Sequence, residues 1–338
     1  MRASVTVIGA GVAGLTCALA LAEHGAAVEV VDRGSALGDG SCSWQAGGML
    51  APWCERATAE PVVATLGAPS IAWWAERYPG TVRNGSLVVA QTRDMADLTR
   101  FAQRTERFEW IGAERIAELE PDLAGRFQKA LYFADEAHLD PRRALACLAK
   151  ALAQRGVAIR YGVDLLPSAA GGGIVVDCRG FAARDTLPDL RGVRGEMLVV
   201  RSRDIEFARP VRMLHPRIPL YIVPRGEGVF MIGATMIESE EHGRVSVRST
   251  MELLSAAFAL NPAFGEAEIL EMRADVRPAF PDNLPRIVRN GNIFRVNGLY
   301  RHGFLLAPAL ARQVAEAVFE PKSNVEIEDA DFPERRCA

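Results

Sequence analysis

Three glycines and one acid carry the first chemistry in this chain. Gly9, Gly11 and Gly14 stand in G-x-G-x-x-G spacing, and Asp32 follows ~20 residues on. Such glycines allow a tight turn and let a pyrophosphate reach a helix N-terminus, while the acid receives a ribose hydroxyl and disfavours a 2′-phosphate. The fingerprint alone does not separate NAD from FAD. The second feature is residues 41–52, SCSWQAGGMLAP, where small hydroxyl and thiol side chains lead into bare Gly47-Gly48. Backbone without side chains marks a close approach to something. The third is 268–277, EILEMRADVR, whose alternation puts Glu271, Arg273, Asp275 and Arg277 on one face of a strand. Glu271 and Arg273 read as a solvated face. Arg277 differs, because Pro278 is expected to end the strand there and leave the guanidinium at a loop edge.

The elements that position these residues follow from local pattern. Ser4–Gly9 (SVTVIG) fits a buried parallel strand, and 12–24 (VAGLTCALALAEH) reads as a helix stopped by Gly25. A second strand, 27–31, ends at Asp32, which completes the fingerprint in its strand–helix–strand setting. The next segment, GSALGDGSCSWQAGGMLAP, is no crossover helix, and a loop this long in a compact domain is functional or disordered. Residues 70–78 read as a helix in which Trp73 and Trp74 cannot share a face, so they are assigned to packing. Residues 86–90 look like a strand, and 92–120 like a solvated helical layer. Asp140 and Pro141 supply an N-cap and N1 for a helix over 142–155, and the strand VAIRYGV returns to the first sheet. A glycine turn and short β-run follow at 171–180. From about 193 to 276 strands alternate, with a hairpin at Arg225-Gly226-Glu227-Gly228 and a helix near 250–260. A C-terminal helix is expected over 306–320.

GAGVAGL near the N-terminus, GGMLAP at 47–52, VRP at 276–278 and NGLYRHGFLLAP at 297–308 stand in one order over roughly residues 4–320. In this the chain resembles the FAD-dependent amine oxidases of the D-amino-acid oxidase class, most of all the glycine oxidases of thiamine biosynthesis. The resemblance implies an α/β fold, with a Rossmann-type FAD-binding domain and a mainly antiparallel substrate domain. The cofactor domain is expected to be discontinuous, over 1–85, 140–192 and 278–322. The substrate domain would take 86–139 and 193–277, leaving 323–338 as a polar, acidic tail.

The resemblance also implies roles. Gly9, Gly11, Val12, Ala13, Gly14, Asp32 and Arg33 would hold the adenosine diphosphate half of FAD. Ser41, Cys42 and Ser43 would lie near its pyrophosphate and ribityl chain, and Gly47, Gly48 and Met49 against the flavin ring. Val163 would touch the adenine end, and Gly180 keeps a small position where relatives read A-T-G, although Cys178 and Arg179 depart from that pattern. No cysteine falls where some relatives bond FAD covalently, so a dissociable cofactor is expected. Arg277 would bind the substrate carboxylate through its planar fork. Tyr221 would assist, and Met236 would cap the side-chain pocket. Arg301 and the segment His302, Gly303, Phe304 and Leu305 would bring a helix N-terminus to the flavin's N1–C2 edge; the His302 side chain itself is given no role. No histidine or carboxylate stands in a motif near Arg277 or Tyr221, so hydride transfer to flavin N5 is expected without a general base.

Composition sets the outer limits. The chain has 338 residues, 49% hydrophobic and 24% charged, with a formal net charge of -3. No basic patch for nucleic acid or a membrane surface is implied. Six scattered cysteines and five scattered histidines suggest reduced thiols and no metal centre. With no secretion signal or apolar span in the sequence, a cytoplasmic protein is expected. The expected function is oxidative deamination of glycine or a small amino acid, with dioxygen as oxidant and glyoxylate, ammonia and hydrogen peroxide as products. The alternative is a D-amino-acid dehydrogenase or a secondary-amine (sarcosine-like) oxidase on the same fold. A non-catalytic flavoprotein is disfavoured by the joint presence of Arg277, Tyr221 and Arg301, and a nicotinamide dehydrogenase by GGMLAP. Relatives of this kind form tetramers, so a homo-oligomer is expected.

Overall fold

The computed structural model describes residues 3–215 and 220–320, together with the backbone of 328–329. Two sheets organise the chain. The first runs in the order 328–329, Arg286–Asn290, Ile293–Asn297, Ile174–Asp177, Ser4–Ile8, Ala27–Val31, Ala158–Arg160. Its strands are parallel apart from the hairpin at 286–297. The central strand Ser4–Ile8 is β-branched, buried over its last four residues and flanked on both sides, as a strand covered on two faces requires. The helix Val12–Glu23 packs on it and against the C-terminal helix Gly303–Phe319. The apolar cluster between them includes Leu15, Leu19, Val176, Leu306 and Leu310.

The second sheet has nine strands and is antiparallel except where Val211–Leu214 runs parallel to Ser86–Ala90. The mainly antiparallel architecture matches expectation. Its two longest strands, Arg191–Arg201 and Glu268–Ala279, pair along their length, and among the described residues Glu268–Ala279 has no strand on its other side. This corrects the expected stop at Pro278: the strand runs on to Ala279. Proline is tolerated because an edge strand has no outer neighbour to need its N–H. The expected helical layer over 92–120 is also interrupted. The helix Met95–Ala102 is followed by a strand, Glu109–Gly112, and then by the helix Ala113–Leu119. The C-terminal helix starts at Gly303, three residues earlier than expected, and His302 is its N-cap. The expected tail, 323–338, lies outside the described residues apart from the strand at 328–329. Among the described residues no helix is long and apolar enough to cross a membrane, and no cluster of acidic, cysteine and histidine side chains could hold a metal.

Candidate active site

Two clefts meet at Gly303. One is lined by Gly9, Gly11, Val12, Ala13, Asp32, Arg33, Ser41, Cys42, Ser43, Val163 and Gly180, among others. The other is lined by Gly47, Gly48, Met49, Tyr221, Met236, Arg277, Arg301, His302, Phe304 and Leu305. Together with the open space at their mouths they span about 1270 and about 790 Å³ free of protein atoms. Two clefts adjoining end to end suit an extended dinucleotide better than one small metabolite. Every cofactor and site residue expected from the sequence therefore faces one of the two clefts, except Gly14. Gly14 is packed behind, where a side chain would strike the carbonyl of Gly9 and push the helix off the strand.

The first cleft has the features of an anion site. The helix Val12–Glu23 opens at Gly11 with no side-chain cap and no acid in its first turn, so its positive end is left to the cleft. Ser43 accepts the Val12 N–H at 3.1 Å, and a Cβ on Gly11 would stand 3.2 Å from the Ser41 hydroxyl oxygen. Asp32 accepts from the backbone of Ala10 at 2.5 Å and of Gly34 at 2.7 Å, so its carboxylate is fixed at the strand end. The helix Gly303–Phe319 also lacks a side-chain cap and first-turn acid. Two helix N-termini whose N-cap residues make no side-chain capping bond thus face clefts that adjoin at Gly303. That arrangement would suit FAD, a pyrophosphate at the first and, at the second, the flavin edge that gains negative charge on reduction. Arg179 lines the same cleft, held by Asp177 and Asp185 at 2.8–3.1 Å. Cys178 is buried behind Gly9 and Gly14.

The second cleft is built from both sheets. Tyr221 lies against the open face of Gly47, where a Cβ would come within 3.0 Å of its ring. On the same strand Arg225 reaches across and donates to the carbonyls of Leu139 at 2.6 Å, Ala46 at 3.0 Å and Gly47 at 2.9 Å. Burial lowers the Arg225 pKa to about 10, so it stays charged at neutral pH. The glycine wall and the second sheet are thereby stapled together. Arg277 is in the strand rather than at a loop edge. Its guanidinium lies across Gly195, where any side chain would collide with it, and donates to the Thr235 carbonyl at 3.1 Å. Trp74, fully buried, donates its indole N–H to the carbonyl of Phe304 at 2.8 Å and anchors the second helix N-terminus. Glu271 departs from the solvated reading: it forms a two-pronged pair with Arg142 at 2.7 and 2.9 Å, and Arg142 also donates to the Trp44 carbonyl at 3.2 Å. That pair ties the edge strand to the loop before the glycine wall.

Sequence reasoning missed the ionic floor of this cleft. Glu55, in the helix Pro52–Arg56, is 8% exposed and lines the cleft with Arg277 and Tyr221. One of its oxygens pairs with Arg212. The other accepts from Arg301 at 2.5 Å and lies 3.6 Å from His302 Nδ1. Burial alone would raise the Glu55 pKa, but Arg301 and Arg212 outweigh it and hold the carboxyl well below its usual range. Burial lowers the His302 pKa to about 4, so the ring is neutral at pH 7. A carboxylate and a histidine therefore do stand beside Arg277, contrary to the sequence reading. Neither is poised as a base near neutrality, since one is pinned as a stable anion and the other is too weakly basic. The available signal was an acid set among Trp53, Cys54 and Ala57 directly after GGMLAP. Met236 is 46% exposed at the mouth, with its sulfur 3.4 Å from Arg301 Nη1 and 3.5 Å from the Tyr300 hydroxyl.

Comparison with known proteins agrees with this geometry. The chain is 52% identical, over 99% of both sequences, to a Rhizobium etli protein that carries the name of a thiamine biosynthesis oxidoreductase, ThiO. It is 27% identical to a glycine oxidase of Geobacillus kaustophilus, over 94% of this chain and 93% of that one. The crystal structure of glycine oxidase from Geobacillus kaustophilus superposes with a TM-score of 0.80 at 26% identity, over 100% of this chain and 99% of the other. The FAD dependent oxidoreductase family model matches residues 4–317, and the chain belongs to that family.

Proposed function

We propose that this FAD-dependent oxidoreductase deaminates glycine or a similarly small amino acid, using dioxygen, and serves thiamine biosynthesis. The observation that carries the reading is the Arg277 guanidinium, half-buried in a strand, beside Tyr221 and across the cleft from the Gly47–Gly48 wall. The names borne by the similar proteins support the substrate and the pathway. In balance, one amino acid, one dioxygen and one water become one oxo acid, one ammonia and one hydrogen peroxide. FAD, when bound, supplies the acceptor for the hydride leaving the substrate Cα.

The protein's own groups bind and orient. Arg277 takes the substrate carboxylate in a charge-assisted pair strengthened by exclusion of water. Tyr221 faces the same place and, lying on Gly47, fixes the gap between carboxylate and wall. Arg212, Arg277 and Arg301 are set against one carboxylate, Glu55, whose oxygens are already engaged. The cleft thus carries excess positive charge. It favours an anionic ligand and disfavours an ammonium, so the amine binds neutral and the Cα hydrogen can leave with its electrons. The N-terminus of Gly303–Phe319 and Arg301 offer positive potential at the flavin's pyrimidine edge. With no cysteine in a bonding role, the cofactor would be held without a covalent link.

The test is a visible spectrum of the purified protein before and after anaerobic glycine, then after readmission of air. Bleaching by glycine and recovery in air with peroxide release is the expected result. A flavin spectrum indifferent to glycine, sarcosine and D-alanine would overturn the substrate assignment. Bleaching without reoxidation by air would make the enzyme a dehydrogenase.

A further inference from the structure

We infer that Met236 is a modification site, oxidised to methionine sulfoxide by the hydrogen peroxide formed in the same cleft. The inference rests on the oxidase reading above. Its physical basis is the arrangement around one sulfur. Met236 follows the strand Val229–Gly233 and stands at the mouth of the cleft, which it lines while remaining 46% exposed as a residue. Peroxide leaving the cleft meets that sulfur before it meets solvent. The other cleft methionine, Met49, instead packs its side chain into the apolar cluster of Val88, Phe101 and Leu131. Met197 and Met231 are buried at 3% and 1% exposure.

Two donors already point at the Met236 sulfur. Arg301 is clamped through Nη2 to Glu55 and to the Thr58 hydroxyl, both at 2.5 Å, which leaves Nη1 aimed at the sulfur from 3.4 Å. The Tyr300 hydroxyl approaches from 3.5 Å. A thioether is a weak acceptor, whereas a sulfoxide oxygen is a strong one. In the reaction one peroxide oxygen is transferred to sulfur as the O–O bond breaks. The sulfur loses two electrons, and the other oxygen leaves as water with both protons. The product oxygen is received by Arg301 and Tyr300. A flexible apolar cap becomes a polar one tied across the entrance, which slows substrate entry. Each turnover thus supplies the reagent for a brake on later ones, reversible by methionine sulfoxide reductases.

The experiment uses the holoenzyme turning over glycine in air, with peroxide release recorded and peptides analysed by mass spectrometry at intervals. Internal controls are built in: Met251 and Met272 are more exposed than Met236, at 64% and 51% against 46%. The expected result is that Met236 gains an oxygen several-fold faster than either, that activity falls in step, and that catalase in the medium spares Met251 and Met272 more than Met236. M236L should lose activity more slowly per turnover, whatever its initial rate. If peroxide is released and the three residues oxidise in the order of their exposure, the inference is wrong and the oxidase reading stands. If no peroxide is released, the oxidase reading fails and the inference falls with it.

Discussion

Replacing Glu55 by Gln is the sharpest probe of the ionic floor, because it keeps the shape and deletes the charge. Glu55 is buried between Arg212 and Arg301, and each guanidinium donates to a different oxygen. At an effective dielectric of about 20, one such pair at 4 Å attracts by about 4 kcal/mol, most of which offsets the cost of bringing the charges out of water. Taking away the anion leaves two cations facing each other with that cost uncompensated, for which about 3–5 kcal/mol is typical. Against a total stability of about 5–15 kcal/mol this is large. Glu55→Gln should therefore lower the free energy of unfolding in urea by about 3 kcal/mol, or more than 100-fold in the equilibrium constant. Adding Arg212→Met should recover part of the loss, since it removes the charge that was left unpaired. The pH dependence has a fixed sign. A carboxyl held below its usual pKa stabilises the fold above its unfolded value, about 4, and that contribution fades as the pH falls further. The wild type should lose stability in acid more steeply than Glu55→Gln. A cost below about 1 kcal/mol, or a second substitution that adds its own full penalty, would show that the floor is not an ionic unit.

Two further predictions follow from neighbouring residues. Glu136 is fully buried and accepts from the Cys54 N–H at 2.7 Å and from the Ser86 hydroxyl; burial raises its pKa to about 7. Its protonated form is favoured in the fold, so stability should decline as pH rises from about 4 to about 7, and Glu136→Gln should remove that decline, giving about 3 kcal/mol at pH 8 in the same urea assay. A side chain at Gly195 would collide with the Arg277 guanidinium. Gly195→Ala and Arg277→Leu should thus both weaken substrate capture, raising the apparent KM for glycine by about 10–100-fold while FAD binding, followed by flavin fluorescence, is retained. An unchanged KM in Arg277→Leu would show that this arginine does not anchor the carboxylate.

What was legible in the sequence was whatever local pattern specifies. The fingerprint glycines, the Asp140–Pro141 helix start and the bare Gly47–Gly48 wall are each set by a few adjacent residues, and the structure has them where they were expected. Asp140 caps its helix through bonds to the N–H groups of Arg142 and Arg143. What was not legible depends on partners far apart in the chain. Glu55 is neutralised by arginines 157 and 246 residues away, and no window on PWCER announces either. Arg225 sits in a turn-like run, Arg-Gly-Glu-Gly, yet it works as a clamp on carbonyls about 180 residues earlier. The strand Glu109–Gly112, EWIG, is four residues long with only Ile111 buried, so its apolar period is too short to read. Pro278 reads as a stop because the sequence does not say which strand lies at an edge.

The order in which the strands sit has a consequence for synthesis. Ser4–Ile8 is made before its inner neighbour Ile174–Asp177, which leaves the ribosome well over 100 residues later, a wait on the order of ten seconds. The helix that closes both clefts begins only at Gly303. Until Ile174–Asp177 emerges, the nascent chain shows the fingerprint turn with one flank of the central strand unpaired, a surface suited to chaperones and to misplaced pairing. A chain stopped before Gly303 would carry the fingerprint glycines without the helix that lines both clefts.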